Sequence, residues 1–252
     1  MSASGEDLCR IPSAISPRSR VGTRFIPRWE ADGVTGPVVV IDTIRAFTTA
    51  AYALAAGARK IVLVDSVADA LAFKVAHPGT LAMGEDRGLR PEGFDYPNSP
   101  AIVGAADLEG RTIVQRTSAG TRGVVAARTA DRLWAASLVC ASATARAVDA
   151  AALGVPTYLI TGWLADRPER AALDDTLTAE LIERARLGRP LEAATTAEAV
   201  LNSEEAIHTL ALGGTHVHPD DIVLATRVDA FDFAMEVHRE ADRLLLRRNH
   251  HQ

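Results

Sequence analysis

Four segments of the chain bring charged and hydroxyl side chains together at spacings that suit anion or cation chemistry. In VVVIDTIRAFTT, from Val38 to Thr49, Asp42 closes a β-branched run, Arg45 follows three residues later, and Thr48 and Thr49 open a helical stretch. A helix N-terminus presents free backbone N–H groups and a partial positive charge, so it accepts phosphate. Arg45 could add a bidentate grip and the threonines hydroxyl donors. The same residues also read as a threonine cap beside a local Asp42–Arg45 ion pair. The second segment, Gly84–Pro100 (GEDRGLRPEGFDYPNSP), concentrates Glu85, Asp86, Arg87, Arg90, Glu92, Asp95, Asn98 and Ser99 among glycines and prolines that direct the chain. A solvated surface loop explains that composition, and so does a loop engaged with a ligand. The third, Arg116–Arg122 (RTSAGTR), offers donors at Thr117, Ser118 and Thr121, close backbone approach at Gly120, and Arg122. Taken alone, it is better read as an ordinary strand-to-helix turn with a threonine cap. It lacks the lysine and spacing of a nucleotide-binding P-loop, and no G-x-G-x-x-G follows a strand. The fourth, Asp174-Asp175-Thr176, either offsets a helix dipole or ligates a hard cation such as Mg²⁺. Thr215–Asp221 (THVHPDD) contains H-x-H, but no third ligand is placed by spacing, and a solvated loop is the better reading.

These residues need a scaffold, and the chain supplies one by alternation. Apolar, β-branched runs at Val38–Ile41, Lys60–Val64, Thr112–Val114 and Pro156–Thr161 read as buried strands, with weaker candidates at Thr80–Met83 and Arg132–Ala136. Helical patterns occupy Thr48–Ala56, Val67–Ala76, Thr121–Arg128, Ala141–Leu153 and Leu173–Leu187, and three of them stop at Gly57, Gly154 and Gly188. A further helix is expected over Thr196–Leu212 and a strand over Ile222–Ala225. Alternating strands and helices predict an α/β fold, a mainly parallel sheet covered on both faces. Ligands in such sheets lie at the carboxyl ends of strands, which selects Asp42–Thr49, Asp65–Ser66, Gly84–Pro100, Arg116–Thr121 and Thr161–Asp175.

Bulk composition narrows the class. With 252 residues, 48% apolar and 23% charged, the chain suits a single globular domain, expected over residues 21–246, between a Ser/Pro/Arg-rich tail (1–20) and a polar tail (247–252). A net charge of -5 argues against a nucleic-acid partner. Two cysteines, Cys9 and Cys140, make neither a disulfide framework nor a zinc site. No signal-peptide or membrane-spanning run is apparent, so the expectation is a cytoplasmic protein without a membrane partner. Apolar helices such as Ala141–Leu153 could pair subunits in a homo-oligomer, and core burial explains them equally well.

Taken together, the segments resemble the 2-phosphosulfolactate phosphatase family. That family's D-V-x-R-A-[ST]-T-T pattern stands here as Asp42-Thr-Ile-Arg-Ala-Phe-Thr-Thr49. Its G-E-x-x-G-x-x-x-E-G-F-D-x-x-N-S-P loop is kept at every fixed position, through Gly84, Glu85, Gly88, Glu92, Gly93, Phe94, Asp95, Asn98, Ser99 and Pro100. Its T-[ST]-N-G-T-R stands as Thr117-Ser-Ala-Gly-Thr-Arg122, and its L-E-D as Leu173-Asp-Asp175. Order and intervals agree from about Pro37 to Leu187. The resemblance implies a three-layer α/β/α architecture with a mainly parallel or mixed sheet, and a Mg²⁺-dependent phosphatase acting on a small anionic phosphorylated acid. It implies catalytic roles for Asp42, Arg45, Glu92 and Asp95, and metal ligation by Asp42, Glu85 and Asp175. Substrate contacts are then expected from Thr48, Thr49, Arg87, Arg90, Asn98, Ser99, Thr117, Ser118, Gly120, Thr121 and Arg122. The chain departs from the pattern at Ala119, where the family has Asn, at Phe47, where it has a small residue, and at Cys140, often Asn. Phe47 could narrow the pocket. These departures motivate two rivals: a non-catalytic anion-binding protein on the same fold, and a phosphatase with a changed substrate.

Overall fold

The computed structural model describes residues 23–249. The expected tail at 1–20 lies outside them. In chain order the elements are β1 (Arg24–Pro27), β2 (Pro37–Ile41), α1 (Ala46–Ala55), β3 (Lys60–Leu63), α2 (Val67–Ala76), β4 (Leu81–Gly84), β5 (Tyr96–Pro97) and α3 (Pro100–Gly104). There follow β6 (Thr112–Arg116), α4 (Gly120–Ala126), β7 (Arg132–Ala136), α5 (Ala141–Ala150), β8 (Thr157–Ile160) and α6 (Leu173–Arg186). The chain closes with α7 (Ala193–Leu201), α8 (Glu204–Leu212), α9 (Asp221–Ala225), β9 (Ala234–Glu240) and β10 (Arg243–Asn249).

All strands join one ten-stranded mixed sheet in the order β1-β8-β2-β7-β9-β10-β3-β6-β4-β5. The block β1-β8-β2-β7 is internally parallel, and so is β3-β6-β4-β5. Between them the antiparallel hairpin β9–β10 pairs antiparallel with β7 on one side and β3 on the other. One parallel block therefore runs opposite to the other. The alternation of β2 explains its depth: every residue of PVVVI is buried, Val38 and Val40 on one face of the sheet, Val39 and Ile41 on the other.

One face forms a continuous core in which Val40, Ile61, Ile113, Leu133 and Met235 pack with Phe47, Leu54 and Val124 of α1 and α4. On the other face, α5 and α6 cover the first block and α2 covers the second. Helices thus cover both faces of a mixed α/β sheet, as expected. The apolar face of α5 is spent within the chain, where Ala141, Ala145 and Val148 pack with Ala179 and Ile182 of α6.

Three expectations change. Ile222–Ala225 is helical, part of α9, because four apolar residues carry no period that separates strand from helix. The stretch Thr196–Leu212 is two helices: Ser203 accepts a 3.1 Å bond from Ala206 N and caps α8. The expected tail at 247 begins in the sheet, since Arg247–Asn249 pair with Ala234–Glu236 in β10–β9. No helix among the described residues is long and apolar enough to cross a membrane.

In a flat sheet the oppositely running blocks would put their carboxyl ends on opposite edges. Five steps separate β2 from β6, and at roughly 20–25° each the twist accumulates to about 100–125°. In the structure the turn after β6 reaches both other strand ends: Gly120 lies against Asp42 after β2, and Ser118 bonds Glu85 after β4.

Candidate active site

At the end of β2, Asp42 turns back to accept a 2.9 Å bond from Ala46 N, so it supplies the acceptor for the first turn of α1. Neither threonine caps that helix, whose N-cap position is Arg45. Thr48 donates to the Thr43 carbonyl at 2.8 Å, and the Thr49 hydroxyl is buried without a partner among the described residues. On its other side Asp42 faces Gly120. A methyl group there would stand 2.8 Å from Asp42 Oδ2 and 2.7 Å from the Ala46 methyl, so only glycine admits this approach. Burial pushes the Asp42 carboxyl up to about 6; the Ala46 N–H opposes that and the charge of Glu85 adds to it.

The two backbone amides after Asp42 are held by the acidic pair that opens α6. Thr43 N donates to Asp175 Oδ1 at 2.8 Å and Ile44 N to Asp174 Oδ2 at 3.0 Å. Asp175 Oδ2 also accepts from Gly162 N at 2.9 Å, which ties in the loop after β8. The pair therefore does more than offset a dipole, because it fastens two ligand-edge loops to α6. Burial lifts Asp174 to about 8, with Glu205 and Asp42 adding to it. Burial, then Asp174 and Asp42, lifts Asp175 well above the usual carboxylate range. Asp174 Oδ1 is buried without a partner among the described residues.

Glu85 organises the second corner. Its Oε1 accepts from Ser118 N at 2.5 Å, and its Oε2 accepts from Ser118 Oγ at 3.0 Å and Gly88 N at 2.6 Å. Arg116 reinforces the junction by donating from Nη1 to Glu85 O and Asp86 Oδ1, both at 2.8 Å. Gly84 has φ 135° and sits where a side chain would run into the Arg116 carbonyl, so glycine is required there. Thr117 and Thr121 bond each other's backbone N–H reciprocally, at 2.9 and 3.0 Å, and are buried. They build the turn, the plainer of the two sequence readings.

Arg45 pairs with Asp221, not with Asp42 as the local reading had it. Its Nη1 donates to Asp221 Oδ2 at 3.1 Å and to the His216 carbonyl at 2.9 Å. Asp221 also accepts from Ser99 Oγ at 2.6 Å, which commits Ser99 to this network. His216 Nδ1 accepts from Arg90 N at 3.0 Å, so the H-x-H segment is fastened to the site loops.

The remaining candidates divide by position. Arg87 and Arg90 are exposed at the mouth of the signature loop, and Arg122, half-exposed, pairs with Asp65 at 3.1 Å. Asn98 is buried with its Oδ1 unpartnered among the described residues. Glu92 is exposed, and Asp95 is engaged elsewhere: its Oδ2 accepts from Ala82 N and from Lys74, each at 2.7 Å. The structure thus gathers Asp42, Glu85 and Asp175 with the Thr117–Gly120 turn, and sets Glu92 and Asp95 aside from them. Phe47, in the first turn of α1, lies wholly in the core, so it fills interior space and does not narrow a pocket. The run THVHPDD, read from sequence as a solvated loop, is instead tied to the site, because Asp221 is fully buried and its segment bonds Arg45, Arg90 and Ser99 from distant parts of the chain.

A profile of the 2-phosphosulpholactate phosphatase family matches residues 27–239, most of the chain. The chain belongs to this family. A probable 2-phosphosulfolactate phosphatase of Bacillus subtilis is 30% identical over 81% of this chain and 88% of its own length. One from Thermus thermophilus is 40% identical over 58% of this chain and 59% of its own length. One from Thermoplasma volcanium is 36% identical over 60% of this chain and 68% of its own. The aligned part of the chain thus spans less than two thirds of the Thermus protein. In 2-phosphosulfolactate phosphatase terms, the long signature loop is the segment organised by Glu85, and the D-x-x-R-A motif is the turn held by Asp42, Asp174 and Asp175.

Among the described residues, no group of three or more His, Cys, Asp or Glu side chains is arranged to hold a metal ion. A hydrated hard cation asks for less, one or two carboxylates with waters completing its shell. Asp42 lies in the field of Glu85, and Asp174 and Asp175 lie in the field of Asp42. These are oxygen donors whose mutual repulsion and burial disfavour ionisation without a counter-charge, which fits such a cation.

Proposed function

We propose that this protein is a Mg²⁺-dependent phosphatase that hydrolyses the phosphate monoester of a small anionic hydroxy acid, 2-phosphosulfolactate first, in the cytoplasm. The observation that carries the reading is the convergence of buried carboxylates Asp42, Glu85 and Asp175 at one corner of the sheet with Arg45 beside them. In the reaction an oxygen of water forms the new bond to phosphorus, the ester P–O bond breaks, and the departing alkoxide takes a proton. One or two of Asp42, Glu85 and Asp175 would hold the ion, with waters completing its shell. Bound Mg²⁺ supplies neutralisation of the phosphoryl charge and a template for the attacking oxygen. Arg45, with Arg87, Arg90 and Arg122 at the rim, meets the several anionic groups of such a substrate. Burial lifts Asp174 to about 8, so in the metal-free protein the Asp174–Asp175 pair favours holding a proton. Glu85 acts also as a brace, holding the Ser118 amide and hydroxyl in place.

The test is phosphate release from 2-phosphosulfolactate, phospholactate and phosphoglycolate, with and without EDTA. The expected result is turnover that EDTA abolishes and added Mg²⁺ restores. Folded protein that releases phosphate from none of them would sink the reading. A changed substrate is favoured by one feature, Ala119, which leaves the N-cap of α4 without a side-chain bond. Hydrolysis of the other phospho-acids with poor use of the sulfonated one would select it. The non-catalytic rival loses one of its two motives, because Phe47 is a core residue. Binding of phosphate and Mg²⁺ without turnover would revive it.

A further inference from the structure

We infer that Asp221 is a positioning residue that aims Arg45 at the substrate's phosphate. The inference rests on the phosphatase reading for its substrate and on geometry for everything else. Asp221 is completely buried, and four donors converge on its carboxylate. Oδ1 accepts from Ser99 Oγ at 2.6 Å and Ala101 N at 3.1 Å; Oδ2 accepts from His218 N at 2.9 Å and Arg45 Nη1 at 3.1 Å. Three of these come from the backbone or from a side chain of a well-packed helix start, so the carboxylate is fixed before the arginine arrives.

The arginine end is as specific. Both hydrogens of Arg45 Nη1 are used, one on Asp221 and one on the His216 carbonyl at 2.9 Å. Nε and Nη2 make no hydrogen bond among the described residues. Those two nitrogens form the side-on edge of the guanidinium, the edge that matches two oxygens of a phosphate or carboxylate. A bidentate arginine is useful only when its plane is set in advance, because an unfixed side chain must be ordered on binding. Asp221 and the His216 carbonyl set that plane from the opposite edge. The charge balance agrees: Arg45 is buried among Asp221, Glu85 and Asp42, so a cation is retained there while one edge stays uncommitted.

The experiment is a double-mutant cycle on Arg45→Ala and Asp221→Asn in the full chain, read by calorimetry with inorganic phosphate, by kcat/KM and by thermal midpoint. Each single variant is expected to weaken phosphate binding by about tenfold or more, and the double variant to bind no worse than Arg45→Ala alone. A purely structural role would make the effects additive, and additivity overturns the inference; so does wild-type phosphate affinity in Asp221→Asn. Should Asp221→Asn fail to fold, Arg45→Lys carries the test, since its ammonium keeps the pair with Asp221 but lacks the side-on fork. It is expected to keep the thermal midpoint and lose phosphate affinity by a similar factor, and unchanged affinity overturns the role. Coupled phosphate binding in a wild-type protein without turnover would sink the phosphatase reading alone. Turnover with additive effects would sink the positioning role alone.

Discussion

Glu85 and Ser118 grip each other twice across 33 residues of sequence, amide to Oε1 at 2.5 Å and hydroxyl to Oε2 at 3.0 Å. The pair joins the loop after β4 to the turn after β6, and Glu85 Oε2 also serves Gly88 N within its own loop. Replacing Glu85 by Ala strips acceptors from two backbone amides in a poorly solvated corner. We expect a loss of about 1–3 kcal/mol in denaturant unfolding, the cost of leaving such donors unpaired. Phosphatase activity should fall far more than stability accounts for, because the same change removes a carboxylate from the site. A variant with wild-type kcat/KM would show that Glu85 is a brace and nothing else.

Gly120 provides a sharper dissection, because the methyl of Gly120→Ala would meet Asp42 Oδ2 at 2.8 Å and the Ala46 methyl at 2.7 Å. Something must shift, and the carboxylate is the freer of the two. The variant should lose about 1–3 kcal/mol as an overpacked site, and kcat should drop by about tenfold or more as Asp42 is displaced from its place, a distance effect on catalysis. Unchanged kcat in a destabilised variant would place Asp42 outside the reaction.

Much of this corner was legible before the structure, and the reason is local. A β-branched run that buries both faces, followed by Asp42 and a helical pattern, announces a ligand-edge strand whatever the tertiary order. The signature loop was legible because Glu85, Gly84 and Gly88 each answer a local need, a carboxylate for nearby amides and glycine for left-handed backbone. What could not be read is long-range. The hairpin β9–β10 carries no clean alternation, as MEVHRE and RLLLRR show, and its place between two opposed parallel blocks follows from packing alone. Arg45 was paired on paper with Asp42, its neighbour in sequence, whereas the chain brings Asp221 to it from 176 residues away. Asp95 shows the converse: a residue in the most specific motif can serve the fold.

That last point is testable. Asp95 Oδ2 holds Ala82 N and Lys74, so Asp95→Ala frees a strand amide and breaks a half-exposed ion pair. The expected loss is about 1–2 kcal/mol, nearly all of it from the amide bond, since pairs of this exposure contribute little. The folded variant should keep kcat/KM within about twofold, as sites without a shared partner act independently. A drop of several orders in kcat with a normal thermal midpoint would return Asp95 to the catalytic set.

The buried acids make stability depend on pH in a direction opposite to that of most carboxylates. Asp42 is pushed up to about 6, Asp174 to about 8, and Asp175 well above the usual range, each from 3.8 and each chiefly by burial. A carboxyl whose folded value is raised binds its proton more tightly in the folded state. Its contribution is therefore fully present below about 4 and is lost as pH rises through the folded values. Protein in EDTA should show a thermal midpoint that declines from about pH 5 to about pH 8.5. A cation held by one or two of Asp42, Glu85 and Asp175 takes over the work of those protons, so the midpoint gained on adding Mg²⁺ should be small at the acid end and grow toward the alkaline end. An increment equal at both ends would mean that the ion binds elsewhere. A midpoint in EDTA that rises across the same interval would mean that these carboxylates are ionised and balanced without any metal.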